Sequence, residues 1–257
     1  MAAFKKIYLF GFEKNNVHTR ITSLLNKMGV ELVSSANDAD VILVLGGDGS
    51  MLHSAKQAHQ YQVPILGLNL GHRGFLADIE DVEDGMLEQV LEGQFVKETR
   101  QVLECVVDGN VYTAINEVML CKSKPTRMIK YELKIDDVFL YEQTADGIIV
   151  CTTTGSSAYA LSAGGPIMHP KAAVLGIVPI CSNNITSTPL IINDDAVINL
   201  TLKIWKDSQA ELAIDAQTVV TNPKTLEIRR HKNTVTFLHP HNHDYYKTLK
   251  SKLNWEV

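Results

Sequence analysis

The residues best suited to chemistry are Gly46-Gly47-Asp48-Gly49, which follow directly on the apolar run Val41–Leu45. Such a run is typical of a parallel strand buried on both faces, and ligands of α/β sheets bind beyond the carboxyl ends of these strands. Gly46, Gly47 and Gly49 would let phosphates approach the backbone, and the start of the following helix favours an anion. Asp48 could then take a proton from an attacking hydroxyl or help to hold a divalent cation. An ordinary turn between a strand and a helix is the alternative.

A second candidate is the hydroxyl-rich segment DGIIVCTTTGSSAYALSAGGP, which starts at Asp146. Thr154, Ser156 and Ser157 could cap a helix or donate hydrogen bonds to the oxygens of a ligand. Gly155 among them would allow close approach to the backbone. Helix capping combined with solvated threonines is the alternative interpretation.

A third candidate is the pair Asn116-Glu117, which follows the strand-like run Tyr112 to Ile115. An adjacent amide and carboxylate could bind an adenine amino group or ribose hydroxyls. A solvent-facing pair at a strand end is the alternative. The chain has neither GxGxxG after a strand nor GxxxxGK[ST], so a nucleotide site would need another design.

Three histidines, His239, His241 and His243, alternate and would share one face of a strand, where they could bind zinc or nickel. Pro240 and the nearby C-terminus favour an exposed tail instead, so we assign no metal ligands from the sequence. The basic run 229–232 is interpreted as a solvated strand end rather than a phosphate clamp.

The elements that must position these residues change character near residue 95. Before it, apolar periodicity predicts strands at Ile7 to Phe12, Val41 to Leu45 and Ile65 to Leu68, with helices at Asn15 to Met28, after Gly49, and at Met86 to Leu91. This βαβαβα order indicates a parallel sheet covered by helices.

From residue 97 the pattern favours antiparallel strands, with hairpins at Cys105 to Tyr112 and Lys134 to Phe139 and one helix-like segment at Ser156 to Ala163. A short helix is predicted at Asp244 to Leu253. The expected fold is therefore an α/β domain with a parallel sheet (1–96), a mostly antiparallel β-sandwich-like domain (97–232), and a C-terminal strand and helix (233–257) returning to the first domain.

Composition excludes several classes of protein. The 257 residues carry a net charge of -5, which argues against a general nucleic-acid binder. No run approaches the ~18 apolar residues of a spanning helix, and the start lacks the apolar stretch of a signal peptide. Four separated cysteines indicate free thiols in a reducing compartment. We therefore expect a cytoplasmic protein without nucleic-acid or membrane partners.

Taken together, the order, spacing and local sequence of the three motifs resemble the NAD kinase family over nearly the whole chain. The resemblance implies transfer of the terminal phosphoryl group of ATP, or of polyphosphate, to the 2′-hydroxyl of the adenosine ribose of NAD, giving NADP. It also implies a divalent metal, Mg²⁺ foremost, bound mainly through nucleotide phosphates, and a homodimer or homotetramer. Two other functions stay open: a lipid or sugar kinase that shares the GGDG turn, and a dinucleotide-binding regulator without catalysis.

The resemblance also assigns roles to individual residues. Asp48 would be the catalytic base and, with Gly49, would lie against NAD, while Gly46, Gly47 and Gly49 form the phosphate loop. Asn116 and Glu117 would hold the adenosine. The other NAD-binding residues implied are Phe75 of the GFL segment, Asp146, Thr154, Ser157, Ala158, Tyr159, Ser162 and Gln217.

Some positions depart from the family pattern. Thr144 stands where a basic residue is frequent, and Asn183 and Thr188 stand where the family's PHxLSxRP segment has its histidine and its arginine, so these changes together remove a histidine and two cationic groups. Ala216 replaces a turn glycine before Gln217. These departures leave donor preference, substrate affinity and subunit contacts open, and the sequence does not decide whether NADH is accepted or NADPH regulates the enzyme.

Overall fold

The structure is a computed structural model that describes residues 2–11, 16–70, 74–77, 79, 85–184, 186–203 and 209–255. It divides into two compact units: Met1–Thr99 with Thr234–Val257, and Arg100–Asn233. None of its helices, within these described residues, is long and apolar enough to cross a membrane.

The helices and strands follow one another as β1 (Lys6–Gly11), α1 (Asn16–Lys27), β2 (Glu31–Val33), β3 (Val41–Leu45), α2 (Asp48–Tyr61), β4 (Ile65–Leu68), α3 (Met86–Leu91), β5 (Phe95–Arg100), β6 (Leu103–Val107), β7 (Asn110–Ala114), β8 (Glu117–Lys122), β9 (Ile129–Ile135), β10 (Val138–Ala145), β11 (Gly147–Cys151), α4 (Tyr159–Ser162), β12 (Val174–Ile180), β13 (Leu190–Asn193), β14 (Ile198–Lys203), β15 (Ala210–Ile214), β16 (Gln217–Thr221), β17 (Thr225–Arg230), β18 (Val235–Pro240) and α5 (Tyr245–Lys252).

The first unit contains one six-stranded sheet in the order β2-β1-β3-β4-β18-β5. Strands β1, β3 and β4 pair in parallel, and β18 joins them in parallel with Phe237 opposite Ile65. All five residues of β3 are buried, as its continuous apolar run predicts for a strand covered on both faces. The predicted parallel sheet is confirmed. The three-residue edge strand β2, too short for a periodic signal, was not predicted.

The second unit consists of two six-stranded antiparallel sheets, β10-β9-β14-β17-β6-β7 and β13-β12-β11-β8-β15-β16. One buried apolar cluster draws on both sheets, for example Cys105 and Leu226 from the first and Leu120 and Ile148 from the second. Two sheets that share a core form a sandwich, which confirms the predicted β-sandwich-like architecture.

Tight hairpins join several of these strands. Asp108 and Gly109 have φ values of 48° and 81°, and Asp136 and Asp137 have 50° and 63°. Positive φ at both central residues is the backbone of a type I′ turn, whose twist matches that of the strands. Both predicted hairpins are confirmed.

Two predictions are wrong in detail. The helix expected from Ser156 to Ala163 is instead a 3₁₀ turn at Gly155–Ser157 followed by α4, because the backbone breaks at Ala158 with φ −95° and ψ −131°. His239 does not lie in an exposed tail, since it is part of β18 and only 1% exposed. The predicted ends at Phe12 and Asn15 lie outside the described residues.

The C-terminal helix α5 begins at a built cap. Asp244 Oδ1 accepts hydrogen bonds from the backbone N–H groups of Tyr246 and Lys247, at 2.9 and 3.2 Å. These bonds satisfy donors that a helix start leaves without partners, and they fix where the chain turns after β18.

Candidate active site

Asp48 stands at the first position of α2, immediately after the glycine turn that ends β3. Its Oδ2 accepts a hydrogen bond from the backbone N–H of Phe75 at 2.8 Å, and its Oδ1 accepts one from that of Leu76 at 3.0 Å. Two main-chain donors therefore fix the carboxylate in one orientation while the residue stays only partly buried.

Gly74 makes this arrangement possible. A Cβ atom at residue 74 would lie 2.0 Å from Asp48 Oδ1, so no other residue fits without displacing the carboxylate. The GFL segment thus positions Asp48 through backbone hydrogen bonds, while the ring of Phe75 is half-buried.

The three glycines around Asp48 differ in their surroundings. A Cβ at Gly46 would lie 2.4 Å from Ser50 Oγ, whereas nothing lies within 4 Å of the corresponding point at Gly47 or Gly49. Gly46 also donates its N–H to the carbonyl of Leu68 at 2.9 Å. Gly46 is therefore required by packing, and Gly47 and Gly49 leave open space beside the backbone where an anion could approach.

In the second unit, Asp215 organises the pair Asn116-Glu117. Its Oδ1 accepts hydrogen bonds from the backbone N–H groups of Asn116 and Glu117, at 2.8 and 3.3 Å, and its Oδ2 accepts one from Ile115 at 3.0 Å. Asp215 is 5% exposed, and its own N–H donates to the carbonyl of Glu117. One buried carboxylate therefore holds the turn between β7 and β8 in shape.

The hydroxyl-rich segment is attached to the same turn. Thr152 donates its N–H to the carbonyl of Asn116 at 2.9 Å and its Oγ1 to that of Ile115 at 2.7 Å. A Cβ at Gly155 would lie 2.2 Å from the Asn116 carbonyl oxygen, so glycine alone permits this approach. Two motifs that are separate in sequence thus form one structural unit.

The hydroxyls of this segment do not act as the helix caps considered from sequence. Ser156 Oγ donates to the carbonyl of Thr153 at 2.7 Å, and Ser157 Oγ donates to that of Thr154 at 3.3 Å. Thr152 Oγ1 instead accepts from the Gly155 N–H at 3.1 Å. Thr154 occupies the N-cap position of the 3₁₀ turn without a side-chain capping bond, and the side chain that accepts from the first residue of the turn is Thr152.

Glu117 is electrostatically unusual. Burial, and then the charge of Asp215, raise the pKa of its carboxyl group to about 7. The residue is 6% exposed, and its Oε2 has no hydrogen-bond partner among the described residues. The interpretation of a solvent-facing pair is therefore wrong for Glu117, and a buried acceptor without a partner is what a ligand hydroxyl or amino group would complete.

The remaining sequence candidates lie at several depths in the second unit. Thr154 is buried, with Oγ1 accepting from the buried Arg100 at 3.4 Å, and Asp146 pairs with Lys122 at 2.7 Å. Ala158 is half-buried at the backbone break, whereas Tyr159 is 49% exposed. Ser162 and Gln217 are also exposed.

Two family models match most of the sequence. Residues 8–95 match the ATP-NAD kinase N-terminal domain, and residues 115–239 match the ATP-NAD kinase C-terminal domain. An NAD kinase of Chromohalobacter salexigens is 41% identical over 227 residues, which cover 84% of this chain and 76% of that protein. The chain belongs to the NAD kinase family. An NAD kinase of Blochmanniella pennsylvanica is 38% identical over 250 residues, covering 93% and 81% of the two chains.

Solved structures of the NAD kinase family share the fold. Yeast NADH kinase complexed with NADH has a TM-score of 0.85 at 21% identity, covering 98% of this chain and 88% of that one. An NAD kinase from Archaeoglobus fulgidus in complex with ATP has a TM-score of 0.79 at 24% identity, covering 97% and 98%. The family predicted from the motifs is confirmed.

Sequence reasoning missed the residues that support the NAD kinase motifs. Gln101 donates to Asp194 Oδ2 at 2.7 Å and lies 3.5 Å from the hydroxyl of Thr153, while Arg230 pairs with Asp194 at 3.0 Å. Arg230 therefore has a structural partner, although the predicted solvated strand end fits the exposed half of its side chain. Gln101 and Asp194 carry no local signal, because their partners are distant in sequence.

Proposed function

We propose that this chain transfers the terminal phosphoryl group of ATP, or of polyphosphate, to the 2′-hydroxyl of the adenosine ribose of NAD, giving NADP. The observation that carries the proposal is the Asp48 carboxylate, held by two backbone N–H groups at the start of α2 in a chain of the NAD kinase family. Relatives named NAD kinase support the same activity.

In this mechanism Asp48 acts as the general base. Each carboxylate oxygen accepts one backbone hydrogen bond and keeps further acceptor capacity for the proton of the ribose hydroxyl. As that oxygen forms its bond to the terminal phosphorus, the bond from phosphorus to the leaving phosphate oxygen breaks, and the proton passes to Asp48. Gly47 and Gly49 offer backbone space for the transferring phosphoryl group.

Recognition of NAD is proposed for Glu117, Asn116 and the other residues that the family resemblance implies. Glu117 Oε2 would accept from a ribose hydroxyl or from the adenine amino group, with Asn116 beside it. We extend the same role to the other residues implied by the family resemblance: Gly49, Phe75, Asp146, Thr154, Ser157, Ala158, Tyr159, Ser162 and Gln217. Their mixture of hydroxyls, an exposed ring and exposed polar groups suits a dinucleotide.

The residues around Asp48 fit a Mg²⁺ ion held mainly through nucleotide phosphates. Asp48 belongs to no group of three potential metal ligands among the residues that the structure describes. One carboxylate beside a phosphate loop is the usual protein share of such a site, since Mg²⁺ keeps waters and phosphate oxygens as its other ligands. The ion would neutralise charge on the transferring phosphoryl group.

We further propose a cytoplasmic homodimer or homotetramer. The four cysteines are free thiols, which suits a reducing compartment. Val138, Phe139 and Leu140 of β10 are 68%, 57% and 45% exposed, an apolar stretch that a subunit contact would cover.

Incubation of the purified protein with NAD, Mg²⁺ and either ATP or polyphosphate tests the activity. NADP is then measured with an NADP-specific dehydrogenase, and we expect it with at least one donor. Absence of NADP with both donors would contradict the proposal. Phosphorylation of a lipid or sugar instead of NAD would favour the rival kinase function.

A further inference from the structure

Three potential metal ligands meet in the first unit, outside the residues proposed for phosphoryl transfer. They are Glu98 of β5, His239 of β18 and His243 of the turn that follows β18. One donor atom of each lies within 4.8 Å of the other two. None of the three has a role in the mechanism proposed above.

Sheet order and a tight turn bring these side chains together. Strands β5 and β18 are neighbours in the sheet, and His239 Nε2 lies 3.2 Å from Glu98 Oε2. The chain then turns at Pro240, whose carbonyl accepts the N–H of His243 at 2.9 Å. This turn returns the His243 ring onto His239, with 4.1 Å between ring centroids and 19° between planes.

Burial sets this cluster apart from an ordinary surface group. His239 is 1% exposed and Glu98 is 9% exposed, while His243 is half-buried. A divalent cation at this position would bind the Glu98 carboxylate and one ring nitrogen of each histidine.

The donor set selects the class of metal. Two imidazoles and one carboxylate are a common ligand set for Zn²⁺, whereas Mg²⁺ prefers oxygen ligands alone. A cavity of about 190 Å³, lined by His243, Asp244 and Thr248 among others, lies beside the third ligand. A cavity of this size admits water next to His243.

We propose that Glu98, His239 and His243 form a zinc site that fastens the segment leading into α5 to strands β5 and β18. Donor atoms around tetrahedral zinc lie about 3.3 Å apart, and the three donors here lie within 4.8 Å of one another, so each separation must close by no more than about 1.5 Å. We expect the His243 ring, which is half-buried and stacked on His239, to rotate when zinc binds. The site is separate from the magnesium of the kinase reaction.

The test uses the full chain without an affinity tag, stripped of metal with a chelator. Zn²⁺ is titrated against a chromophoric chelator, and Co²⁺ is added separately to record the visible absorption of a tetrahedral nitrogen–oxygen site. We expect one zinc ion per chain and a higher Tm with zinc present, because a ligand of the folded state stabilises it. Failure of the unmodified chain to bind zinc would overturn the proposal.

Two variants and two controls locate the ion. Glu98→Gln, which preserves shape, and His243→Ala, at a half-buried turn, should each raise the Kd for zinc by at least about tenfold and remove the effect on Tm. His241→Ala removes an exposed histidine two residues from His243, and Cys181→Ser removes an exposed thiol; both should bind zinc as the unmodified chain does. The assignment would be refuted if Glu98→Gln and His243→Ala bound zinc as tightly as the unmodified chain, or if either control lost affinity.

Discussion

The turns that carry Asp48 and Asp215 both set an aspartate against backbone N–H groups, yet they serve different ends. Asp48 accepts two such hydrogen bonds and stays partly exposed, whereas Asp215 accepts three and is 5% exposed. The first carboxylate is held but accessible to a substrate. The second is buried and accepts its hydrogen bonds from the backbone of the turn between β7 and β8. Backbone hydrogen bonds to a carboxylate are therefore common to Asp48, the proposed base, and Asp215, and the two differ in exposure.

A glycine completes each arrangement, and again the partners differ. A Cβ at Gly74 would meet the Asp48 carboxylate at 2.0 Å, while a Cβ at Gly155 would meet the Asn116 carbonyl at 2.2 Å. In the first unit the glycine leaves space for the Asp48 side chain, and in the second it allows two backbone segments to approach closely. We therefore expect substitutions around Asp48 to change mainly turnover, and those around Asp215 to change mainly stability.

The largest effect should follow from Asp48→Asn. The amide is too weak a base to take the ribose proton, so we expect kcat to fall by roughly 10²- to 10⁴-fold. Steady-state assays of NADP formation measure this loss. Isothermal titration with NAD should show binding within a few-fold of the unmodified enzyme.

The same variant can break the comparison. Turnover near the normal value would show that Asp48 is not the base. Loss of cooperative unfolding would show that it is structural, like Asp215. A far-UV circular dichroism spectrum and a denaturant titration at the assay temperature separate these outcomes.

Asp215→Ala should give the largest loss of stability. It leaves three backbone N–H groups without their acceptor, and an unsatisfied buried donor costs about 1–3 kcal/mol. With partial relaxation, we expect the free energy of unfolding of the second unit to fall by about 3–5 kcal/mol. Urea titration followed by fluorescence measures the change.

Asp146→Ala is the matched control for this prediction. Its partly exposed ion pair with Lys122, at 2.7 Å, should contribute only about 0–1 kcal/mol. If both aspartates gave equally small changes, the hydrogen bonds of Asp215 would not be what holds the turn in shape. A fall in kcat with unchanged stability in Asp215→Ala would instead give it a role like that of Asp48.

Sequence reasoning succeeded where the signal is local. The apolar run of β3 identified a buried parallel strand, and Asp108-Gly109 identified a hairpin, because each depends on neighbouring residues alone. The order of three motifs then identified the family. The insertion of β18 between β4 and β5 left no such trace, since it depends on pairing with residues far away in the chain.

The supporting residues of the candidate site were not predicted from the sequence, because they too depend on contacts with distant parts of the chain. Asp215 contacts residues about 100 positions earlier, and nothing in its own neighbourhood reveals that. Thr152 is one of three consecutive threonines, and only the fold shows that its hydroxyl, rather than that of Thr154, accepts from the Gly155 N–H. A candidate ligand-binding residue can be recognised by its residue type, whereas the residues that position it are identified only by their three-dimensional contacts.

The charge of Asp215 also affects a neighbouring carboxyl group, because it contributes to the pKa of Glu117. Burial and that charge raise its pKa from 4.5 to about 7 in the folded chain, so the folded state binds the proton more tightly than the unfolded state. Its contribution to stability is full below pH 4.5 and is lost as the pH rises through about 7. We expect this part of the unfolding free energy to fall by an amount on the order of a few kcal/mol.

Urea titrations at several pH values, compared with Glu117→Gln, isolate this contribution. The difference between the two proteins should vary with pH within that window and level off above it. A difference independent of pH would mean that Glu117 has an ordinary pKa and that Asp215 does not influence it.

The smallest effect, and the one that sharpens the view of the Asp215 turn as structural, is expected from Ala216→Gly. Ala216 follows Asp215 at φ 62°, a left-handed conformation that costs a residue with a Cβ about 1 kcal/mol relative to glycine. Part of the gain is offset because glycine makes the unfolded chain more flexible, so we expect stabilisation of about 0.5 kcal/mol. Ala173→Gly, at an exposed position where φ is not positive, should instead destabilise by a similar amount. Stabilisation without a change in kcat would mean that this turn has a structural role only. A rise in kcat would mean that the backbone strain at Ala216 also affects catalysis.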